Sequence, residues 1–260
     1  MAASIVRASL NKFSWFVVLA MALHHHICSV AIAQQVPCFF IFGDSLMDNG
    51  NNHQLKTVAR ADYPPYGIDF PGGPSGRFCN GRTPADVLAE LLGFDHYMPP
   101  FPVASGLEVL KGVMYSYGAR KFALHGLGQI GCCPFKLDGP NGTACVENIN
   151  DAVQIFNRKL KLLVDQLNQD TPDAKFIYLD TYGIFKGFTV TNEACCGVGK
   201  NNALLTCLPF QTPCDNRNQY LFWDSFHPTD AANEYVSRRS YRAESPSDAH
   251  PYDISRLAQV

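Results

Sequence analysis

The sequence has little charge of either sign and no basic block: 17% of its 260 residues are charged, and the formal net charge is -2. A chain so balanced offers a polyanion no electrostatic footprint, which excludes nucleic acid as an expected partner. It has no C-x-x-C pair and no H-E-x-x-H, so its cysteines and histidines do not read as a zinc site, and no metal or cofactor is expected. The G-x-S-x-G elbow of many lipases is missing too; Gly73-Pro74-Ser75-Gly76 comes nearest and lacks the final glycine. Internal repeats and low-complexity linkers are absent, and 47% hydrophobic residues suffice to bury one core, so a single domain accounts for the length.

The N-terminus carries Arg7 and Lys12, an apolar run from Phe13 to Leu23, and Ala31-Ile32-Ala33 in the A-x-A form of a cleavage site. Residues 1–33 therefore read as a secretory signal peptide, 34–260 as the mature domain, and the protein as secreted and extracellular. The run is shorter than the roughly 20 residues that span a bilayer, and His24-His25-His26 interrupts it, so no transmembrane anchor is expected. Ten cysteines, one of them Cys28 in the signal, leave an odd number for the oxidising secretory route. The doublets Cys132-Cys133 and Cys195-Cys196 suit bridges to separate partners, with Cys145, Cys207 and Cys214 as candidates and at least one thiol left over. Asn141-Gly142-Thr143 is a glycosylation sequon in a Gly/Pro-rich loop.

Val36 to Phe42 is a short apolar run stopping at Gly43, the pattern of a buried strand. Thr83-Pro84-Ala85-Asp86 opens a helix, with a Thr cap, Pro at the first helical position and Gly93 as the stop. Arg120 to Leu127 reads as a strand. A long helix follows from about Val146 to Gln169, where Val146, Ile149, Val153, Phe156, Leu160, Leu163 and Leu167 recur at steps of three and four. Lys175 to Asp180 is a further strand and Pro228 to Tyr241 a last helix. Strands alternating with such helices imply an α/β fold with a mainly parallel sheet, whose ligand site lies beyond the carboxyl ends of the strands.

Ser45 stands just there, after the first expected strand, and Asp224 precedes His227 by three residues in Trp223-Asp224-Ser225-Phe226-His227-Pro228. A serine hydroxyl needs a base to take its proton, and that base needs a third group to hold its tautomer and offset its charge. Because His227 precedes a helix N-terminus, whose dipole disfavours imidazolium, a carboxylate close by is required, and Asp224 can fold back to supply it. His53, His96, His125 and His250 compete less well; His250, with Asp248 two residues before it, is the decoy to test, and His125 lies within a strand.

The string Phe39-Phe40-Ile41-Phe42-Gly43-Asp44-Ser45-Leu46-Met47-Asp48-Asn49-Gly50-Asn51-Asn52 resembles the first block of the plant GDSL esterase/lipases, a branch of the SGNH hydrolases. The resemblance continues through Tyr63-Pro64-Pro65-Tyr66-Gly67, Gly76-Arg77-Phe78-Cys79-Asn80-Gly81-Arg82-Thr83, Gly118-Ala119-Arg120-Lys121-Phe122 and Cys195-Cys196-Gly197 to Asp224–Pro228. It implies a flavodoxin-like three-layer α/β/α sandwich with strand order 2-1-3-4-5. It makes Ser45 the nucleophile, His227 the base, Asp224 its partner and the Ser45 N–H an oxyanion donor. Asp44 shapes the turn, and Asn49 and Asn51 stabilise the loop.

Two other oxyanion donors that the resemblance implies, a glycine and the asparagine of a G-x-N-D block, have no counterpart. After Gly112-Val113-Met114-Tyr115 the chain passes directly to Ser116-Tyr117-Gly118, so the sheet is expected to be incomplete, lacking its third strand; a smaller gap falls at Lys186-Gly187. Asn150-Asp151 lies in the long helix and reads as a solvated face. The expected function is a secreted serine ester hydrolase acting on acyl esters, of a lipid, a cell wall or a small metabolite, through an acyl-enzyme. The alternative is an impaired or non-folding homologue that at most binds lipid or polysaccharide.

Overall fold

The strand expected from Arg120 forms over Lys121–His125 (β1) and pairs in parallel with Lys175–Leu179 (β2), Lys121 opposite Lys175 and His125 opposite Leu179. A computed structural model describes residues 34–100, 118–138, 141–185, 188 and 190–260. The expected signal peptide, the junction at 112–117 and Lys186-Gly187 lie outside the described residues. Contacts group Gln34–Val260 as one unit.

The connection between β1 and β2 is the helix α2, Glu147–Asp170, following α1, Pro84–Leu91. Because side chains alternate across a strand, Phe122, Leu124, Phe176 and Tyr178 face Val164, Leu160 and Leu167 of α2, with the rings of Phe122 and Phe176 stacked 4.6 Å apart. Ile177 and Leu179 point the other way, onto Leu88 of α1, the adjoining Leu92, and Ile254, Leu257 and Ala258 of the C-terminal helix. The result is an α/β/α layering, with helices on both faces of the sheet.

After β2 come α3 (Thr181–Ile184), β3 (Val190–Ala194), β4 (Tyr220–Phe222), α4 (Asp230–Tyr241), β5 (Ala249–His250) and α5 (Ile254–Gln259). β5 pairs antiparallel with β2, giving the order β1-β2-β5, and β3 and β4 form a separate parallel pair. α1 starts as its sequence requires: Thr83 and Asp86 form a reciprocal capping box with Pro84 in the first turn, and Gly93 follows at φ +85°.

Three expectations are corrected. Val36 to Phe42 carries no strand ladder among the described residues; Val36 and Phe39 rest against the α1 side of the core, while Phe40 and Phe42 are 64% and 63% exposed. An apolar strand of a parallel sheet needs a neighbour's ladder and cover on both faces, and this segment is covered on one side only. Along α2, Val153 and Val164 are buried, but Phe156 and Leu163 are exposed, because the sheet covers a narrower stripe than the periodicity offers.

Asn150, finally, is not on a solvated face. It is 2% exposed, and its Oδ1 accepts the Gly131 N–H at 2.9 Å. One face of α2 is in fact a row of buried or half-buried amides that satisfy backbone. Asn157 both accepts from the Leu127 N–H (2.8 Å) and donates to the Leu127 carbonyl (2.9 Å). Asn168 does the same for Phe176, at 3.0 and 2.8 Å, on the edge of β2 that the two-residue β5 leaves bare. A substitution Asn157→Leu strands both Leu127 groups and is expected to cost about 1–3 kcal/mol, read as a lower urea midpoint at unchanged m.

Candidate active site

Ser45 opens a short 3-10 turn, Ser45–Met47, whose shape is set by Asp44: its carboxylate accepts the Leu46 N–H at 3.0 Å. Asp48 closes the next bend by accepting from the N–H groups of Gly50 and Asn51 at 2.8 and 2.6 Å. Asn49 is fixed from three sides, donating to Asp86 and to the Met98 carbonyl (both 2.9 Å) and accepting from the Thr83 hydroxyl (2.6 Å). These side chains hold the loop, as the sequence implied for Asp44 and Asn49.

The support beneath that loop is an ion pair. Asp86 is fully buried and receives Arg77 through two bonds, Nε at 2.7 Å and Nη2 at 2.8 Å. The chain crosses itself here, and a Cβ on Gly76 (φ +88°) would sit 2.5 Å from the Gly50 Cα, so only glycine permits the approach. The same segment clamps the last helix through Arg82, bonded to Asp230 and Glu234 of α4, while Asn80 accepts the Asp230 N–H at 2.8 Å.

His227 is brought to Ser45 by the loop between β4 and α4. Trp223 donates its N–H to the His227 carbonyl at 2.7 Å and Thr229 to Leu221 at 3.0 Å, closing a tight loop, and Thr229 caps α4. Ser45 Oγ and His227 Nε2 are 2.8 Å apart, although 182 positions separate the residues. On the other side of the ring, Nδ1 lies 2.8 Å from each oxygen of Asp224. With Nδ1 donating to the carboxylate, Nε2 is left to accept from the serine hydroxyl. Phe78 lies along the imidazole at 5.0 Å between centroids, shielding one face.

Asp224 is out of contact with water. Burial would raise its carboxyl, but His227, the Tyr66 hydroxyl and the Phe226 N–H hold it below its ordinary value. Burial would likewise push His227 down; Asp224, with a smaller contribution from Asp44, lifts it above its ordinary 6.5.

The family model of the GDSL-like lipase/acylhydrolases matches residues 102–240, a span that holds Asp224 and His227. This chain belongs to that family. Membership places the protein among the carboxylic ester hydrolases of the GDSL class. The GDSL esterase/lipase At1g29670 of Arabidopsis thaliana is 42% identical over 357 aligned positions, covering 95% of this chain and 98% of the relative. A second Arabidopsis GDSL esterase/lipase, At5g45670, is 40% identical, covering 86% of this chain and 92% of the relative. An alignment of 357 positions on a chain of 260 residues must bridge stretches that the relative has and this GDSL chain lacks.

Three other histidines among the described residues go elsewhere. His250 is 2.6 Å from Asp165, and its neighbour Asp248 is taken by Arg239 at 2.5 and 3.0 Å, so the decoy pair does not form. His53 meets Asp62 at the surface, 3.2 Å away, and His125 ends β1. Of the cysteine doublets only Cys195-Cys196 bridges to separate partners, Cys214 and Cys207; Cys132 bonds Cys145, but its neighbour Cys133, against expectation, carries a free thiol, as do Cys38 and Cys79. Asn141 is exposed in its turn. No helix among the described residues is long and apolar enough to cross a membrane.

Sequence reasoning missed Tyr66, Phe78, Arg77 and Asp86. All four belong to, or pair with, the motif strings, which marked the segments without saying which side chain supports Ser45, His227 or Asp224. The substitution Arg77→Met leaves the Asp86 carboxylate buried without its cation, and breaking such a pair is expected to cost about 3–5 kcal/mol in urea unfolding.

Proposed function

We propose that this GDSL hydrolase is a secreted esterase in which Ser45 attacks the acyl carbon of an ester, His227 is the base and Asp224 orients and stabilises the ring. The observation that carries this is the unbroken contact from Ser45 Oγ through the His227 ring to the buried Asp224. In the first half-reaction the Ser45 proton passes to Nε2 as Oγ bonds to the carbonyl carbon, and the same proton then goes to the departing alcohol. In the second half water gives a proton to Nε2 as it bonds to the acyl carbon; the Oγ–carbon bond then breaks, the acid departs and Nε2 returns the proton to Oγ. The Ser45 N–H serves the developing oxyanion, since the Asp44 cap engages the next N–H, that of Leu46. Residues 1–33 act as the signal peptide, 34–260 as the hydrolase domain with internal deletions near 115–117 and 186–187, and Asn141 as a glycosylation site.

A specific observation also favours the impaired alternative. Phe40 and Phe42, immediately before the nucleophile, are left in solvent, and the alignment to the relative is longer than the chain. Each oxyanion donor lost typically lowers the rate on the order of 100- to 1000-fold, so a rate well below that of the longer relatives is expected. The two readings separate in a single preparation. Hydrolysis of a short p-nitrophenyl ester by the secreted chain should exceed that by the Ser45→Ala variant, and equal rates in a cooperatively folded protein would leave only the impaired reading.

The pH profile adds a second check. His227 works as a base only when neutral, and its pKa is raised, so kcat/KM should fall as the pH drops through a value above 6.5. An acid limb below 6.5 would contradict the Asp224–His227 assignment.

A further inference from the structure

We propose that Tyr66 is a positioning residue of this site, its hydroxyl tying Asp224 to Thr206 so that the hydrogen-bonded chain from Ser45 continues past the carboxylate into the disulfide-bonded part of the molecule. This rests on the Ser45 hydrolase reading above.

The two oxygens of Asp224 are held differently. Oδ1 accepts from the N–H groups of Phe226 and His227, both at 2.9 Å, as well as from the imidazole. Those donors lie within three residues of Asp224 and belong to its own loop. Oδ2, also 2.8 Å from the imidazole Nδ1, has among the described residues one partner from outside this loop, the Tyr66 hydroxyl at 2.6 Å, across 158 positions of sequence. Rotation of the carboxylate about its Cβ–Cγ bond is therefore fixed from outside the loop by one side chain. That side chain is itself immobile: Tyr66 is 2% exposed and meets Tyr63, Phe78 and Trp223 edge-on at 5.3, 6.3 and 6.1 Å.

Beyond Tyr66, its hydroxyl meets the Thr206 hydroxyl at 3.0 Å, and Thr206 is anchored by the adjacent Cys207, bonded to Cys196. A donor on Oδ2 withdraws charge from the carboxylate and tempers its pull on the imidazolium. The ring then stays basic enough to take the Ser45 proton and acidic enough to return it. The groups facing this pair are few. Asp224 is faced by His227, Tyr66, Tyr63 and Cys133, and His227 by Asp224 and Asp44. Burial raises both tyrosines and pushes Cys133 to about 11, so around neutrality none of these three adds a charge beside the pair.

The test is an NMR titration of the His227 ring in the full chain, assigned with a His227→Gln variant. Tyr66→Phe should raise its midpoint by roughly half a pH unit and lower kcat several-fold with KM unchanged. Thr206→Val, which removes only the second partner of Tyr66, should shift it less and in the same direction, and it decides the matter should Tyr66→Phe fail to fold. Tyr63→Phe is the control: it deletes a hydroxyl from the same aromatic cluster, one bonded to the Cys207 carbonyl at 3.0 Å, and should leave His227 unmoved. An unchanged midpoint in both Tyr66→Phe and Thr206→Val, or an equal shift in Tyr63→Phe, overturns the proposal. A His227 shift in a chain that hydrolyses no ester supports the tether and removes the hydrolase reading; hydrolysis without the shift does the reverse.

Discussion

A carboxylate sealed from water must find all its hydrogen bonds inside the protein, and at Asp224 that requirement gathers distant pieces of chain. Its loop supplies two N–H groups, His227 a third donor and Tyr66 a fourth. Losing any of them would leave part of a buried charge unmatched, which is far more costly than losing an exposed contact. The placement of His227 beside Ser45 follows from it, since the ring is held at Nδ1 and so presents Nε2. The electrostatics follow as well: burial and partners oppose each other at both residues, and the partners prevail.

Ser45, the proposed nucleophile, depends on a second buried charge. Asp86 collects Arg77, Asn49, the Thr83 backbone and the Met98 N–H, joining the loop after Ser45 to the start of α1. Two buried carboxylates thus hold the two halves of the site, and Phe78, one residue from Arg77, reaches across to the imidazole. The site is carried by polar clusters and disulfides more than by the sheet. That explains how Ser45 meets His227 at 2.8 Å while Phe40 and Phe42, just upstream, lie outside any ladder.

Much of this was legible in the sequence where local rules govern. Thr83-Pro84-Ala85-Asp86 specified a helix start and forms one, and the long periodic helix ends within a residue or so of its expected limits. Ser45, Asp224 and His227 were picked out by a mechanical requirement and by motif order, and the folded chain brings them together. What could not be read depends on neighbours distant in sequence. The run Val36 to Phe42 has the composition of a strand, but a strand exists only with a partner. Asn150 looked solvated because nothing local announces the Gly131 N–H that it satisfies. Tyr66 sat in a recognisable string, yet only the fold reveals that its hydroxyl points at Asp224.

The proposed activation of Ser45 by His227 in this chain as it stands is open to a chemical test. Covalent labelling of the folded protein with a fluorophosphonate, followed by intact mass and peptide mapping, reads it out. One adduct is expected, on Ser45, lost in His227→Gln. A cooperatively folded chain that takes up no label at Ser45, or takes it up equally without His227, would contradict it.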